Sequence, residues 1–213
     1  MINDSTYYHF LNLLLDGKRK ECTIVITDLI NENEPREKIY IELLQKSMYR
    51  VGQLWENNKI SISKEHLATQ IIKHILNLIQ FRSNGIVQNG KKAVIACVEK
   101  EFHDIGAQMI ADFLEHNGYE VFNLGANVPG NDIISTIEEF DPDLIGISSN
   151  FYINIIRLTK LVEEINYKFT NKEIIIGGQA LLNYDPDVLH KFPNIHYIPD
   201  LHYLKDYLEG NFS

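Results

Sequence analysis

"KKAVIACVEKEFHDIG", residues 91–106, decides the fold. Its "KAVIACV" run is apolar at both alternating sets of positions, as a strand covered on both faces must be. The polar loop "EKEFHD" follows. After it, "IGAQMIADFLEHNG" has the apolar spacing near 3.6 that predicts a helix. A doubly buried strand leading into a helix opens a βαβ unit. Downstream the pattern recurs: "YEVFNLG", "PDLIGISS", "EIIIGG" and the weaker "NIHYIP" read as strands, and "GNDIISTIEEF" and "FYINIIRLTKLVEEINYKF" as crossover helices. The expected fold is α/β, a Rossmann-like, flavodoxin-like, doubly wound parallel sheet of five strands.

Upstream of that sheet the signals are almost all helical. "STYYHFLNLLLDG" carries an apolar stripe with Ser5 as its cap and Gly17 as its stop, and a shorter helix is expected around residues 19–32. "EPREKIYIELLQKSMYRVGQLWENN" and "SKEHLATQIIKHILNLIQFRS" follow, the latter with Ser63 as cap. Four helices make a small bundle. The polar stretch "RSNGIVQNGK", residues 82–91, reads as the linker, giving a helical domain over 1–85 and the sheet domain over 86–213.

The composition excludes several classes. A formal net charge of −9, without a basic patch, argues against nucleic acid as a partner. The longest basic run, "GKRK" at 17–20, is expected at the solvated end of a helix, where cations suit the negative end of the macrodipole. No basic leader and no apolar run of membrane-spanning length is present, so a cytoplasmic protein is expected. Cys22 and Cys97 form neither a CxxC nor a disulfide framework, and Cys97 lies in a predicted buried strand.

In an open parallel sheet, ligands bind beyond the carboxyl ends of the strands. His103 follows the first strand, Ser148 and Ser149 end the third, and Gly177 and Gly178 end the fourth. The loop after the first strand lacks G-x-G-x-x-G, which disfavours a nicotinamide cofactor, and there is no P-loop. "GISSN" lacks the second glycine of a serine nucleophile elbow, which disfavours a hydrolase. Glu101 and Asp104 could form an acid–base pair, or simply complement a helix start. A lone loop histidine is ordinarily solvated or hydrogen-bonded, but here Glu101 and Asp104 both lie within reach of its second ring nitrogen, the usual arrangement around a ligating histidine. One histidine cannot hold zinc, which requires three or four protein ligands. A macrocycle supplying four equatorial nitrogens needs only one axial ligand, which points to a corrin or a haem.

The spacing resembles that of the cobalamin-binding domain proteins, whose pattern is D-x-H-x-x-G, then S-x-L, then G-G. This chain reads Glu101-x-His103-x-x-Gly106, Ser148-x-Asn150 and Gly177-Gly178, with intervening gaps of 41 and 26 residues that fit the pattern. "VGQLWENNKISISKEHLATQII" looks like the cap helices that precede such domains. Within it Trp55, nine residues, then Glu65-His66 resembles the W-x9-E-H signature of light-sensing adenosylcobalamin regulators, and "GGQ" at 177–179 is also similar to theirs. The pattern's aspartate is Glu101 here, its leucine is Asn150, and the histidine that follows the tryptophan in those photoreceptors is Glu56.

The resemblance implies that the helical bundle caps the sheet and that cobalamin is bound base-off, with His103 as lower cobalt ligand and the nucleotide tail inserted beside the sheet. Asp104, Ile105, Gly106, Ser148, Asn150, Gly177, Gly178 and Gln179 would then adjoin the cofactor, with Glu101 or Asp104 behind His103. Trp55, Glu65 and His66 would surround an upper adenosyl group. Without the resemblance, Trp55 reads as bundle core, Glu65-His66 as a first helical turn, and Gly177-Gly178 as a tight turn. With Glu56 in place of histidine, capture of cobalt after light would fall to His66 or His74. The chain starts directly at the cap helices, so the resemblance implies a stand-alone sensor rather than a one-component repressor. Adenosylcobalamin is favoured over methylcobalamin, an unidentified protein partner would receive the signal or methyl group, and the chain could form a homo-oligomer. The alternatives are a corrinoid carrier subunit of a methyltransferase system, and a photoreceptor holding another chromophore such as a bilin.

Overall fold

The computed structural model describes residues 2–81 and 86–210. Residues 82–85, the start of the expected linker, lie outside the described residues. The chain divides into two compact units, Met1–Asn84 and Gly85–Ser213.

The first unit is helical: α1 (Asp4–Leu15), α2 (Arg19–Asn31), a rod made of α3 (Arg36–Lys38), a π-helical stretch (Ile39–Gln45) and α4 (Lys46–Glu56), and then α5 (Ile62–Phe81). Phe10, Leu14, Ile26, Leu43, Ile72 and Ile75 are fully buried between them. Three local expectations are corrected. Asn3, not Ser5, caps α1: its side chain accepts the Thr6 N–H at 2.9 Å, and Ser5 lies inside the helix. Ser61, not Ser63, takes that role at α5, where its hydroxyl accepts the Lys64 N–H at 3.3 Å and its carbonyl accepts the Glu65 N–H. The basic run 17–20 begins a helix instead of ending one, because α1 closes at Leu15 and Gly17 turns the chain at φ 72°. Exposure of Lys18, Arg19 and Lys20 to water screens them from the positive helix end.

The second unit alternates strands and helices: β1 (Lys92–Val98), α6 (Ile105–His116), β2 (Glu120–Val128), α7 (Gly130–Phe140), β3 (Leu144–Ser148), α8 (Ile155–Lys168), β4 (Glu173–Gly177), α9 (Val188–Lys191), β5 (Ile195–Tyr197) and α10 (Leu201–Leu208). All strand pairs are parallel, in the order β2-β1-β3-β4-β5, so this is the expected flavodoxin-like doubly wound sheet. Val94, Ala96, Ile145, Ile147, Ile174 and Ile176 pack with Ile134, Leu158 and Val162 of α7 and α8 on one face. α6 packs against β1, β2 and β3 and is itself joined by α10. Burial on both faces explains the unbroken apolar runs.

Two elements depart from the sequence pattern. β2 continues past "NLG" to Val128, because register shifts against β1 and the positive φ of Gly125 carry it through a bulge. The helix expected from Phe151 begins at Ile155, and residues 149–154 form a loop with a 3-10 turn at Tyr152–Asn154. Among the described residues, no helix is long and apolar enough to cross a membrane.

Candidate functional site

Topology brings the loops together before any side chain is considered. The chain runs from β1 to one neighbour, β2, and returns to the other, β3, so the loops after β1 and β3 leave the sheet at its switch point. In register, Cys97 of β1 stands beside Ser148 of β3, and Ser148 beside Gly177 of β4. The three strand ends singled out in the sequence are therefore adjacent.

Glu101 lies at the centre of this rim with no exposed surface. Its Oε1 accepts the His103 backbone N–H at 3.0 Å and lies 3.0 Å from His103 Nδ1. Oε2 accepts the backbone N–H groups of Asn150 at 2.8 Å and Phe151 at 2.9 Å, and a longer bond from Asn154 Nδ2 at 3.4 Å. Burial pushes this carboxyl up, but hydrogen bonds from the His103 ring and from the Phe151, His103 and Asn150 backbones outweigh it and hold the pKa down to about 2. Glu101 is thus a buried carboxylate neutralised by N–H dipoles.

The ionised carboxylate fixes the imidazole. It can only accept, so Nδ1 of a neutral His103 carries the proton and Nε2 the lone pair. The edge of the ring meets the Phe151 ring at 4.6 Å and 88°, and 40% of the His103 side chain remains exposed. Asn150 Nδ2 donates to the His103 carbonyl at 2.7 Å. The result is an oriented nitrogen donor at the sheet edge.

The loop is braced by residues that sequence reasoning missed. Asn127, at the end of β2, donates its backbone N–H to the Glu101 carbonyl and accepts the Lys100 N–H on Oδ1, both at 2.8 Å. Lys100 and Asn127 both have positive φ, a conformation asparagine tolerates and lysine rarely adopts. Buried Asn154 reaches the Lys100 carbonyl at 3.2 Å while Arg157 holds its Oδ1. Asn127 had a faint signal as an asparagine between Gly125 and Pro129 in "GANVPG"; Asn154 had none, being absorbed into an apparent helix.

Asp104 occupies the N-cap position of α6, but its side chain makes no capping bond, and Ile105 and Gly106 open that helix. A Cβ on Gly106 would meet nothing within 4 Å. The Gly177-Gly178 turn is crowded instead: a Cβ at Gly178, where φ is 107°, would stand 2.1 Å from the Ser149 carbonyl oxygen, and one at Gly177 would be 2.9 Å from that of Ile198. The pair therefore satisfies a backbone requirement of its own. Gln179 follows and donates its N–H to Asn150 Oδ1 at 3.1 Å, while Ser148 is half-buried beside Gly177.

In the helical unit, Trp55 is half-buried near the end of α4 and Glu56 is exposed. Glu65 and His66 lie in the first turn of α5, joined by a 2.5 Å contact between Glu65 Oε2 and His66 Nδ1, with Thr69 donating to Glu65 Oε1 at 2.8 Å. The His66 side chain is 63% exposed.

Among the described residues, no group of three or more His, Cys, Asp or Glu side chains could hold a metal ion. A single oriented imidazole fits a metal whose other ligands arrive with it.

Two profiles described as B12 binding domains match the chain, one over residues 91–199 and the other over residues 9–80. The HTH-type transcriptional repressor CarH of Myxococcus xanthus is 30% identical over 116 residues, 54% of this chain and 38% of that protein. Dimethylamine corrinoid protein 3 of Methanosarcina acetivorans is 28% identical over 138 residues, 62% of each. Methionine synthase of Mycobacterium leprae is 25% identical over 176 residues, 79% of this chain and 14% of that one. The chain thus spans less than two thirds of these relatives. A structure of Methanosarcina barkeri monomethylamine corrinoid protein shares the fold at a TM-score of 0.81 and 14% identity, covering 98% of this chain and 100% of that one.

Proposed function

The chain belongs to the B12-binding-domain family and is a cobalamin-binding module, and from that premise we propose that it binds cobalamin base-off through His103 and acts as a light sensor. The observation that carries the first half is the Glu101–His103 pair: a buried carboxylate on Nδ1 leaves Nε2 as the donor to cobalt and strengthens it. The open space around Gly106, at the start of α6, suits a tail lying beside the sheet, and Ser148, Asn150 and the Gly177–Gln179 turn would flank it.

Support for the sensor comes from the cap motif and from the relation to CarH. Bound adenosylcobalamin would supply a cobalt–carbon bond that light breaks. Glu65, held by Thr69, orients His66 through Nδ1, and with Trp55 would contact the adenosyl group. Loss of those contacts would change the preferred position of the cap, which requires that its two positions bind the cofactor with different affinities.

The second reading, a corrinoid carrier in a methyltransferase system, is supported by the relation to dimethylamine corrinoid protein 3, which extends over 62% of both chains. An absorption spectrum with adenosylcobalamin in the dark, repeated after green illumination with gel filtration of each sample, separates the two. Photoconversion with a change in elution supports the sensor; binding without a light-dependent change in assembly supports the carrier. No binding overturns both.

A further inference from the structure

Asn150 stands where the family pattern has leucine, and its side chain makes bonds that leucine could not. Nδ2 donates to the His103 carbonyl at 2.7 Å, Oδ1 accepts the Gln179 N–H at 3.1 Å, and its backbone N–H donates to Glu101 Oε2 at 2.8 Å. One residue therefore ties together the loop after β1, the loop after β3 and the glycine turn after β4. His103 is held through its ring and its backbone N–H by Glu101 and through its carbonyl by Asn150.

We infer that Asn150 is a positioning residue that couples His103 to the Gly177–Gly178–Gln179 turn, so that the cobalt ligand and the flank of the tail channel share one geometry before the cofactor arrives. The identity of the ligand rests on the cobalamin reading above; the tie itself belongs to the cofactor-free protein. A loop fixed in its bound conformation loses less ordering entropy on binding. A corrinoid with a nucleotide tail gains from both ends of the tie, whereas one without it gains at His103 alone.

The test uses the full chain, wild type and the variants Asn150→Leu and Asn150→Ala, with hydroxocobalamin and the tail-less cobinamide as probes. Without cofactor, both variants should show faster hydrogen exchange at the Gln179 amide, whose acceptor they remove. With two neutral hydrogen bonds lost, cobalamin affinity should fall roughly tenfold. Cobinamide affinity should fall less, and the fraction of cobalamin with a His-on spectrum should drop. Equal losses for both corrinoids with an unchanged His-on spectrum would reduce Asn150 to a fold-stabilising residue and overturn the inference, as would unaltered Gln179 exchange. If the wild type bound no corrinoid, the cobalamin reading would fail instead, and the exchange experiment would still decide whether Asn150 holds the two loops together.

Discussion

Glu101→Gln is the substitution whose consequence can be worked furthest from the structure. The side chains are nearly isosteric, so the change alters charge and donor pattern rather than volume. Every partner of Glu101 is a donor: His103 N and Nδ1 on one oxygen, and Asn150 N, Phe151 N and Asn154 Nδ2 on the other. An amide nitrogen at the Oε1 position leaves two donors without an acceptor, and one at the Oε2 position leaves three. The magnitude follows from linkage. Holding the carboxyl at about 2 against an ordinary 4.5 means that the native site favours the anion over the neutral acid by about 3 kcal/mol more than the unfolded chain does. Glutamine should cost a similar amount, a large share of the ~5–15 kcal/mol typical of a domain but compatible with a folded protein. Urea unfolding of the cofactor-free protein, followed by far-UV circular dichroism, measures it. Glu101→Asp keeps the charge but shortens the reach, and should cost less than glutamine. A loss below about 1 kcal/mol for glutamine, or an aspartate variant less stable than the glutamine one, would refute the view that the loops are organised around an anion.

Further outcomes are expected at this rim and beyond it. Stability from Glu101 is fully present above pH ~4.5 and is lost as the pH falls toward 2, because its folded pKa is the lower one; acid titration followed by circular dichroism should show Glu101→Gln converging on wild type at the acid end. His103→Ala should abolish the His-on spectrum with bound cobalamin, and an unchanged spectrum would remove His103 as ligand. Gly106→Ala meets open space in a helix, so the melting temperature should hold or rise while cobalamin affinity falls; Gly178→Ala, driven into the Ser149 carbonyl at positive φ, should lose more than about 2 kcal/mol. Cys22 and Cys97 are fully buried, and burial pushes the Cys22 thiol up to about 11, so a thiol reagent at pH 8 should find no fast-reacting group until the protein is unfolded.

What the sequence made legible was whatever repeats along the chain. Buried parallel strands need apolar residues at every position, so β1, β3 and β4 announced themselves, and strand ends placed His103, Ser148 and Gly177 on one rim. Less visible was which acid serves the histidine. Glu101 and Asp104 looked alike in the sequence; the difference is that the chain reverses at Lys100, turning Glu101 inward under the loop after β3 while Asp104 starts α6. The π-helical stretch Ile39–Gln45 was hidden because its apolar residues continue the stripe of the flanking helices. Asn154 and the Phe151 amide were hidden by an apparent helix that begins four residues later than its apolar pattern, its would-be first turn being spent on Glu101.

That placement bears on why the site is built as it is. A fully buried anion without a cation is costly to a fold, and a well-packed apolar side chain would stabilise the switch point with fewer demands. Here three backbone and two side-chain N–H groups from two loops are committed to solvating one carboxylate, with Asn127 and Asn154 committed to holding its loop. What this brings to the surface is the tautomer and direction of His103, whose side chain stays 40% exposed. A purely structural account explains why Glu101, once present, is so fully bonded; it does not explain why an acid is there. Orientation of an imidazole toward an incoming metal does, and the same logic gives Asn150 its place: leucine could pack against the loop, but only a side chain that both donates and accepts can hold the His103 carbonyl and the Gln179 amide at once.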